Sequence, residues 1–171
     1  MKKLIIIKGT MGSGKTAVSL SLQKALIPSV FLDGDWCWNM NPFVVNDKTK
    51  IMVVDNITFL LNNFIKCEQY KYIIFCWVMH EKAISDSIID KLNLLNVELS
   101  IISLRINKDE LTKRITKDIK DNKRDKESLN RSLDRLKAFD YSESNVIDVD
   151  NKSVKDITKE VIKIVDKSEN E

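Results

Sequence analysis

The chain has 171 residues, 43% apolar and 31% charged, with a net charge of +3. That length suits one domain with its own core. The composition excludes a disordered or membrane-embedded chain, and so small a basic excess does not by itself argue for nucleic acid as the partner.

The opening MKKLIIIKGT mimics a secretion signal, two lysines then four apolar residues, Leu4 to Ile7. Four are too few for a signal core, no small-residue cleavage site follows, and no later run nears the ~18 residues of a membrane span. Cys37, Cys67 and Cys76 form no C-x-x-C pair and are odd in number. They fit reduced thiols in a cytoplasmic protein.

Leu4 to Ile7 predicts a buried first strand. A helix is expected over 15–27, stopped by Pro28, and Val30 to Leu32 is a short second strand. Residues 48–67 carry Ile51, Val54, Ile57, Leu61, Phe64 and Ile65 at helical spacing. The run IMVVD within them superficially reads as a strand ending in an aspartate, Asp55. The uninterrupted spacing through NITFLLNNFI favours the helix. Tyr72 to Met79 is a continuous apolar run, as in a strand buried on both faces. A helix is expected from Glu81 to Leu95, then a β-branched strand from Val97 to Ile106. Helices over Asn107–Asn122 and Glu127–Phe139, a short strand Val146–Val149 and a helix Ser153–Asp166 complete the chain. This alternation predicts an α/β fold, a parallel sheet with helices on both faces, in one domain spanning 1–171.

Glycine is used sparingly, and its few positions are informative. There are four, where average usage of about 7% would give roughly a dozen. Three lie in GTMGSGKT, residues Gly9 to Thr16, directly after the first strand. Every fixed position of G-x-x-x-x-G-K-[ST] is met. Glycines let successive N–H groups turn inward around an anion, and the next helix points its positive end at the phosphates. The nucleotide set is therefore Gly9, Met11, Gly12, Ser13, Gly14, Lys15, Thr16 and Ala17. Lys15 would reach the β- and γ-phosphates and Thr16 would offer its hydroxyl to Mg²⁺. ATP and Mg²⁺ are the expected cofactors.

With GTMGSGKT, the second-strand ending FLDGDW, and the segment RDKESLNRSLDRLKAF (Arg124 to Phe139), the chain resembles the P-loop small-molecule and nucleotide kinases. These are the adenylate, shikimate, gluconate and adenylylsulfate kinases. Arg124, Arg135, Leu136 and Phe139 match the pattern that follows the adenylate kinase lid. Ending VMH before a helix, the third strand also resembles the tunicamycin-resistance ATP-binding proteins. The resemblance implies the P-loop NTPase fold, five parallel strands in the order 2-3-1-4-5, and a small helical lid near residues 120–130. It also implies that Asp35 is the base or orienter for an acceptor hydroxyl. Asp33 would hold Mg²⁺ or the acceptor. Arg114, Arg124 and Arg131 would be lid or phosphate contacts.

Each assignment has a plainer alternative. Asp33-Gly34-Asp35 could be a polar turn. The arginines could lie on a solvated helix face, since acids interleave them. His80, the lone histidine, is either a hydrogen-bonded strand end or an acceptor contact. Trp36, Trp38, Met40, Phe43 and Trp77 could line an acceptor pocket or fill the core. At the end of the third strand, where many P-loop enzymes carry an aspartate, the sequence has none. Residues 36–100 contain no arginine, which argues against a phosphorylated acceptor. The expected activity is transfer of the γ-phosphate of ATP to a hydroxyl of a small molecule of sugar, nucleoside or antibiotic type. A nucleotide-dependent resistance or switch protein and a polynucleotide end kinase are the alternatives. Neither acceptor identity nor oligomeric state is encoded legibly.

Overall fold

The computed structural model describes residues 1–167. In chain order the elements are β1 (Lys2–Gly9), α1 (Lys15–Ala25), β2 (Ser29–Asp33), a 3-10 turn (Gly34–Trp38), α2 (Asp47–Lys66), β3 (Tyr72–Trp77), α3 (Lys82–Ile89), β4 (Val97–Arg105), α4 (Lys108–Lys120), α5 (Ser128–Lys137), β5 (Asn145–Asp148) and α6 (Val154–Lys167). The five strands form one sheet in the order β2-β3-β1-β4-β5, and every pairing is parallel. This is the predicted architecture and strand order.

β1 is apolar at successive positions because both its faces are covered. Ile5 and Ile7 join Val18, Leu22, Leu104, Leu111, Ile115 and Val161, the side under α1, α4 and α6. Leu4 and Ile6 join Val53, Ile57, Leu61, Phe75 and Ile88, the side under α2 and α3. The strand's two inner lysines are also buried, each with a carbonyl partner. Lys3 Nζ donates to Val165 O at 2.6 Å and Lys8 Nζ to Asp140 O at 2.9 Å.

Helical spacing is confirmed over 47–66, so Asp55 belongs to a helix, where it pairs with Lys91 at 2.8 Å. Asn46 and Thr49 form a reciprocal capping box at its start, satisfying two otherwise open N–H groups. At α4 the expected Asn107 cap is present, its side chain accepting from Glu110 N at 2.8 Å.

Of the boundaries that differ from the sequence reading, two have a cause visible in the structure. β3 ends at Trp77 rather than Met79. Its last neighbour on β1 is Lys8, and beyond it Met79 takes a left-handed turn, φ 35°, into the core. Helix α3 stops at Ile89 rather than Leu95. Here Asn62 of α2 intervenes: its amide donates to Lys91 O at 3.0 Å and its carbonyl accepts from Asn93 N at 2.9 Å. A tertiary hydrogen bond outcompetes the local helical one, which periodicity cannot foresee.

Candidate active site

The loop from Gly9 to Thr16 joins β1 to α1 at the carboxyl edge of the sheet, where ligands of open α/β sheets bind. Gly12 and Gly14 have φ of 87° and 96°, in the left-handed region that side chains disfavour. Gly12 is also crowded: a Cβ there would stand 2.9 Å from Leu111 and Ile115. As the cap of α1, Gly14 provides no side-chain acceptor, so the first N–H groups of that helix face outward unsatisfied, a ready anion site. Lys15 crosses the loop and donates to Thr10 O at 3.0 Å. Burial pushes its pKa down, with the Asp35 and Asp33 carboxylates opposing.

Three hydrogen bonds run outward from this loop. Thr16 Oγ1 donates to Asp33 Oδ2 at 2.8 Å. Asp33, buried at the end of β2, accepts at Oδ1 from the Asp35 N–H at 3.1 Å. Asp35 Oδ1 then accepts from the Trp77 indole N–H at 3.1 Å. The D-G-D turn is thus tied to both the phosphate loop and the third strand. Gly34 is required there, because a Cβ would stand 2.6 Å from Trp77 Cγ.

The third strand carries no acid, and a thiol stands beside Asp33 instead. Cys76 pairs in register with Asp33. Burial, reinforced by Asp33, pushes its pKa up to about 12, so it stays neutral. Asp33 and Thr16 are therefore the oxygen donors next to the loop. One carboxylate and one hydroxyl beside a phosphate site fit Mg²⁺, which takes few protein ligands and completes its shell with phosphate and water. Among the described residues there is no cluster of three or more His, Cys, Asp or Glu that could hold a metal alone.

A cavity of about 490 Å³ opens over the loop. Met11, Gly12, Gly14, Lys15, Thr16 and Ala17 form one wall, Asp35 and Val78 another. Arg114, Lys117 and Asp118 of α4, Lys123 and Arg124 of the following turn, and Arg135 of α5 close it. Six cations against two carboxylates suit a polyanion. Another hollow, about 510 Å³, lies between Met1, Pro28, Tyr70 and Leu95. It sits at the amino ends of the strands, away from the phosphate loop, and is the wrong edge for a ligand.

Arg114 pairs with Glu110 at 2.8 Å and reaches Gly12 O at 3.5 Å and Val149 O at 3.4 Å, bridging the loop to the end of β5. Arg124 pairs with Asp118 at 2.8 Å. Both stand on the cavity wall. Arg131 does not: it is exposed and held by Asp125 at 2.7 Å and Glu127 at 3.4 Å. In its place stands Arg135, one helical turn on, which makes no ion pair among the described residues. The sequence carried a signal for this. Glu127 lies four residues before Arg131, the spacing of an intrahelical ion pair, and Arg135 has no acid at that position. Accordingly Arg135→Ala is expected to weaken binding of the non-hydrolysable analogue AMPPNP about tenfold, the effect of losing one charge-assisted contact. Arg131→Ala should change it less than twofold. Equal effects in calorimetric titrations would contradict this placement.

His80 and Trp36 are outside that wall. His80 accepts at its carbonyl from Asp140 N at 2.9 Å, which docks the chain after α5 onto the sheet edge. Its imidazole pKa is lowered by burial, with Glu81 opposing. Trp36 is 58% exposed and stands edge-on to Phe31 at 5.3 Å. Trp38 lies against Phe43 at 5.9 Å, and with Met40 it also packs on the α2-side core.

The family model described as an AAA domain matches residues 5–158. No curated protein matches the chain. Among solved structures, a gluconokinase from Sinorhizobium meliloti is similar at TM-score 0.68 and 16% identity, over 93% of this chain and 89% of that one. The APS kinase of Mycobacterium tuberculosis, solved with AMPPNP and APS, is similar at 0.69 and 12%, over 96% and 98%. The tunicamycin resistance protein of Deinococcus radiodurans is similar at 0.69 and 14%, over 96% of each chain. No helix among the described residues is long and apolar enough to cross a membrane.

Proposed function

The chain belongs to the AAA domain family and has the fold of the P-loop kinases, and from that premise we propose that it moves the γ-phosphate of ATP to a hydroxyl of a small molecule. The observation that carries this reading is the hydrogen-bonded run Thr16–Asp33–Asp35. It places a buried carboxylate beside the phosphate loop and a second, exposed one on the wall of the same cavity.

Phosphoryl transfer needs positioning and charge neutralisation more than covalent help. Loop N–H groups and Lys15 hold the phosphates. Arg114, Arg124 and Arg135 meet the charge that spreads over the transferred group, and their planar forks suit its oxygens. Asp35 accepts the proton of the acceptor hydroxyl as that oxygen bonds to the γ-phosphorus and the bond to the β-phosphate oxygen breaks. Thr16 and Asp33 would hold Mg²⁺, which when bound neutralises phosphate charge. The segment near residues 120–130 would act as a lid that excludes water and limits hydrolysis. The acceptor side offers Asp35 and Val78 and no arginine, which suits an unphosphorylated hydroxyl compound.

The test is ADP formation from Mg-ATP with panels of hexoses, nucleosides and hydroxylated antibiotics, with mass spectrometry of the products. Acceptor-dependent ADP release and a product heavier by one phosphoryl group are expected. Turnover confined to oligonucleotide ends, or ADP release indifferent to every hydroxyl compound, would overturn the reading in favour of an end kinase or a nucleotide switch.

A further inference from the structure

Asp35 is exposed on a single 3-10 turn, where a carboxylate would ordinarily sample several rotamers. A general base needs the opposite, because small displacements from the reacting atom are costly. Two contacts restrain it. Its own N–H is held by Asp33, which fixes the backbone. Its Oδ1 is held by Trp77 Nε1 at 3.1 Å, which fixes the carboxyl plane.

Trp77 suits that task. It is the last residue of β3, beside β1 and the phosphate loop. Its ring is half-buried, packed on the α2-side core and lying directly under Gly34. An indole has two side-chain torsions, and packing on both sides restrains them. Its N–H donates only, so it can hold a carboxylate but cannot compete for the acceptor's proton. Of the two carboxylate oxygens, Oδ1 is occupied and Oδ2 has no hydrogen bond among the described residues.

We infer that Trp77 is a positioning residue: its indole N–H locks the Asp35 carboxylate, leaving Oδ2 to receive the proton of the acceptor hydroxyl. The glycine between the two aspartates exists to let that ring pass beneath the turn. The inference rests on the reading of Asp35 as the base, and it makes the third strand, which lacks an acid of its own, a contributor to the reaction.

The test uses the full chain and needs no identified acceptor. With indole-¹⁵N tryptophan, the chain's three tryptophans give three N–H resonances, assigned by single substitution to Phe. Asp35→Ala is expected to move the Trp77 resonance by several tenths of a ppm; an unmoved signal overturns the contact. Phosphate release from Mg-ATP, with water as acceptor, reads the consequence. Trp77→Phe keeps the ring and removes the donor. It should lower kcat roughly tenfold, the effect of one hydrogen bond to a charged group, with KM for ATP unchanged. In an Asp35→Ala background it should cost nothing further, and Trp77→His, which restores a ring N–H, should recover part of the loss. A Trp77→Phe protein with full kcat, while Asp35→Ala is impaired, overturns the inference, as does an equal loss in both backgrounds. Full phosphate release by Asp35→Ala would instead remove the base assignment itself, and the role of Trp77 with it.

Discussion

Replacing Lys15 by Ala should weaken AMPPNP binding by about 2 to 3 kcal/mol, roughly 30- to 150-fold in Kd, the range for charge-assisted hydrogen bonds to phosphate. Calorimetric titration checks it; unchanged Kd would remove the phosphate-loop assignment. The fold should not suffer. Among the described residues the Lys15 ammonium donates to Thr10 O, and burial already disfavours its charge. The same depression gives the binding a pH signature. In the free protein the Lys15 pKa lies below its usual value, and bound phosphates must raise it. Between the two values binding takes up a proton, so affinity falls as pH rises through the free-protein pKa. In Lys15→Ala that dependence should be absent.

The second large effect is expected at Asp35. Asp35→Asn keeps the shape of the side chain and an oxygen for the Trp77 indole, but it cannot take a proton. Acceptor-dependent turnover should fall by a factor on the order of 10² to 10⁴, the range for general-base catalysis. AMPPNP Kd should stay within about twofold, because in the proposed mechanism Asp35 would face the acceptor and not the phosphates. Asp33→Asn should behave in the opposite way. Its carboxylate is bonded to Thr16, so the loss should appear in Mg²⁺-dependent nucleotide affinity. An Asp35→Asn protein with full turnover would sink the base assignment and leave nucleotide binding intact.

The phosphate loop was legible because it is local. Eight consecutive residues contain all its chemistry, and two of them, Gly12 and Gly14, have φ values only glycine adopts readily. Strand order was legible from the resemblance the loop anchors, with the β-α alternation supporting a parallel sheet. Arg131 shows the limit. It lies on the right helix and in the right basic segment, yet its carboxylate neighbours turn it outward, while Arg135 faces the cavity. Composition marks such a segment; only helix phase against the rest of the molecule selects the residue. Helix α3 was overextended for a related reason, since the competing partner, Asn62, lies some thirty residues away in sequence.

By itself, then, the sequence determined the class of fold, the anion-binding loop and the turn that carries two carboxylates, because each is specified by residues adjacent in the chain. Tertiary structure decided what those carboxylates do to one another. Register between β2 and β3 set Cys76 beside Asp33 and brought Trp77 under Gly34 and onto Asp35, across a gap of more than forty residues. No local pattern encodes such a contact: it exists only once two parallel strands have paired with both faces buried, and that pairing is chosen by the whole core.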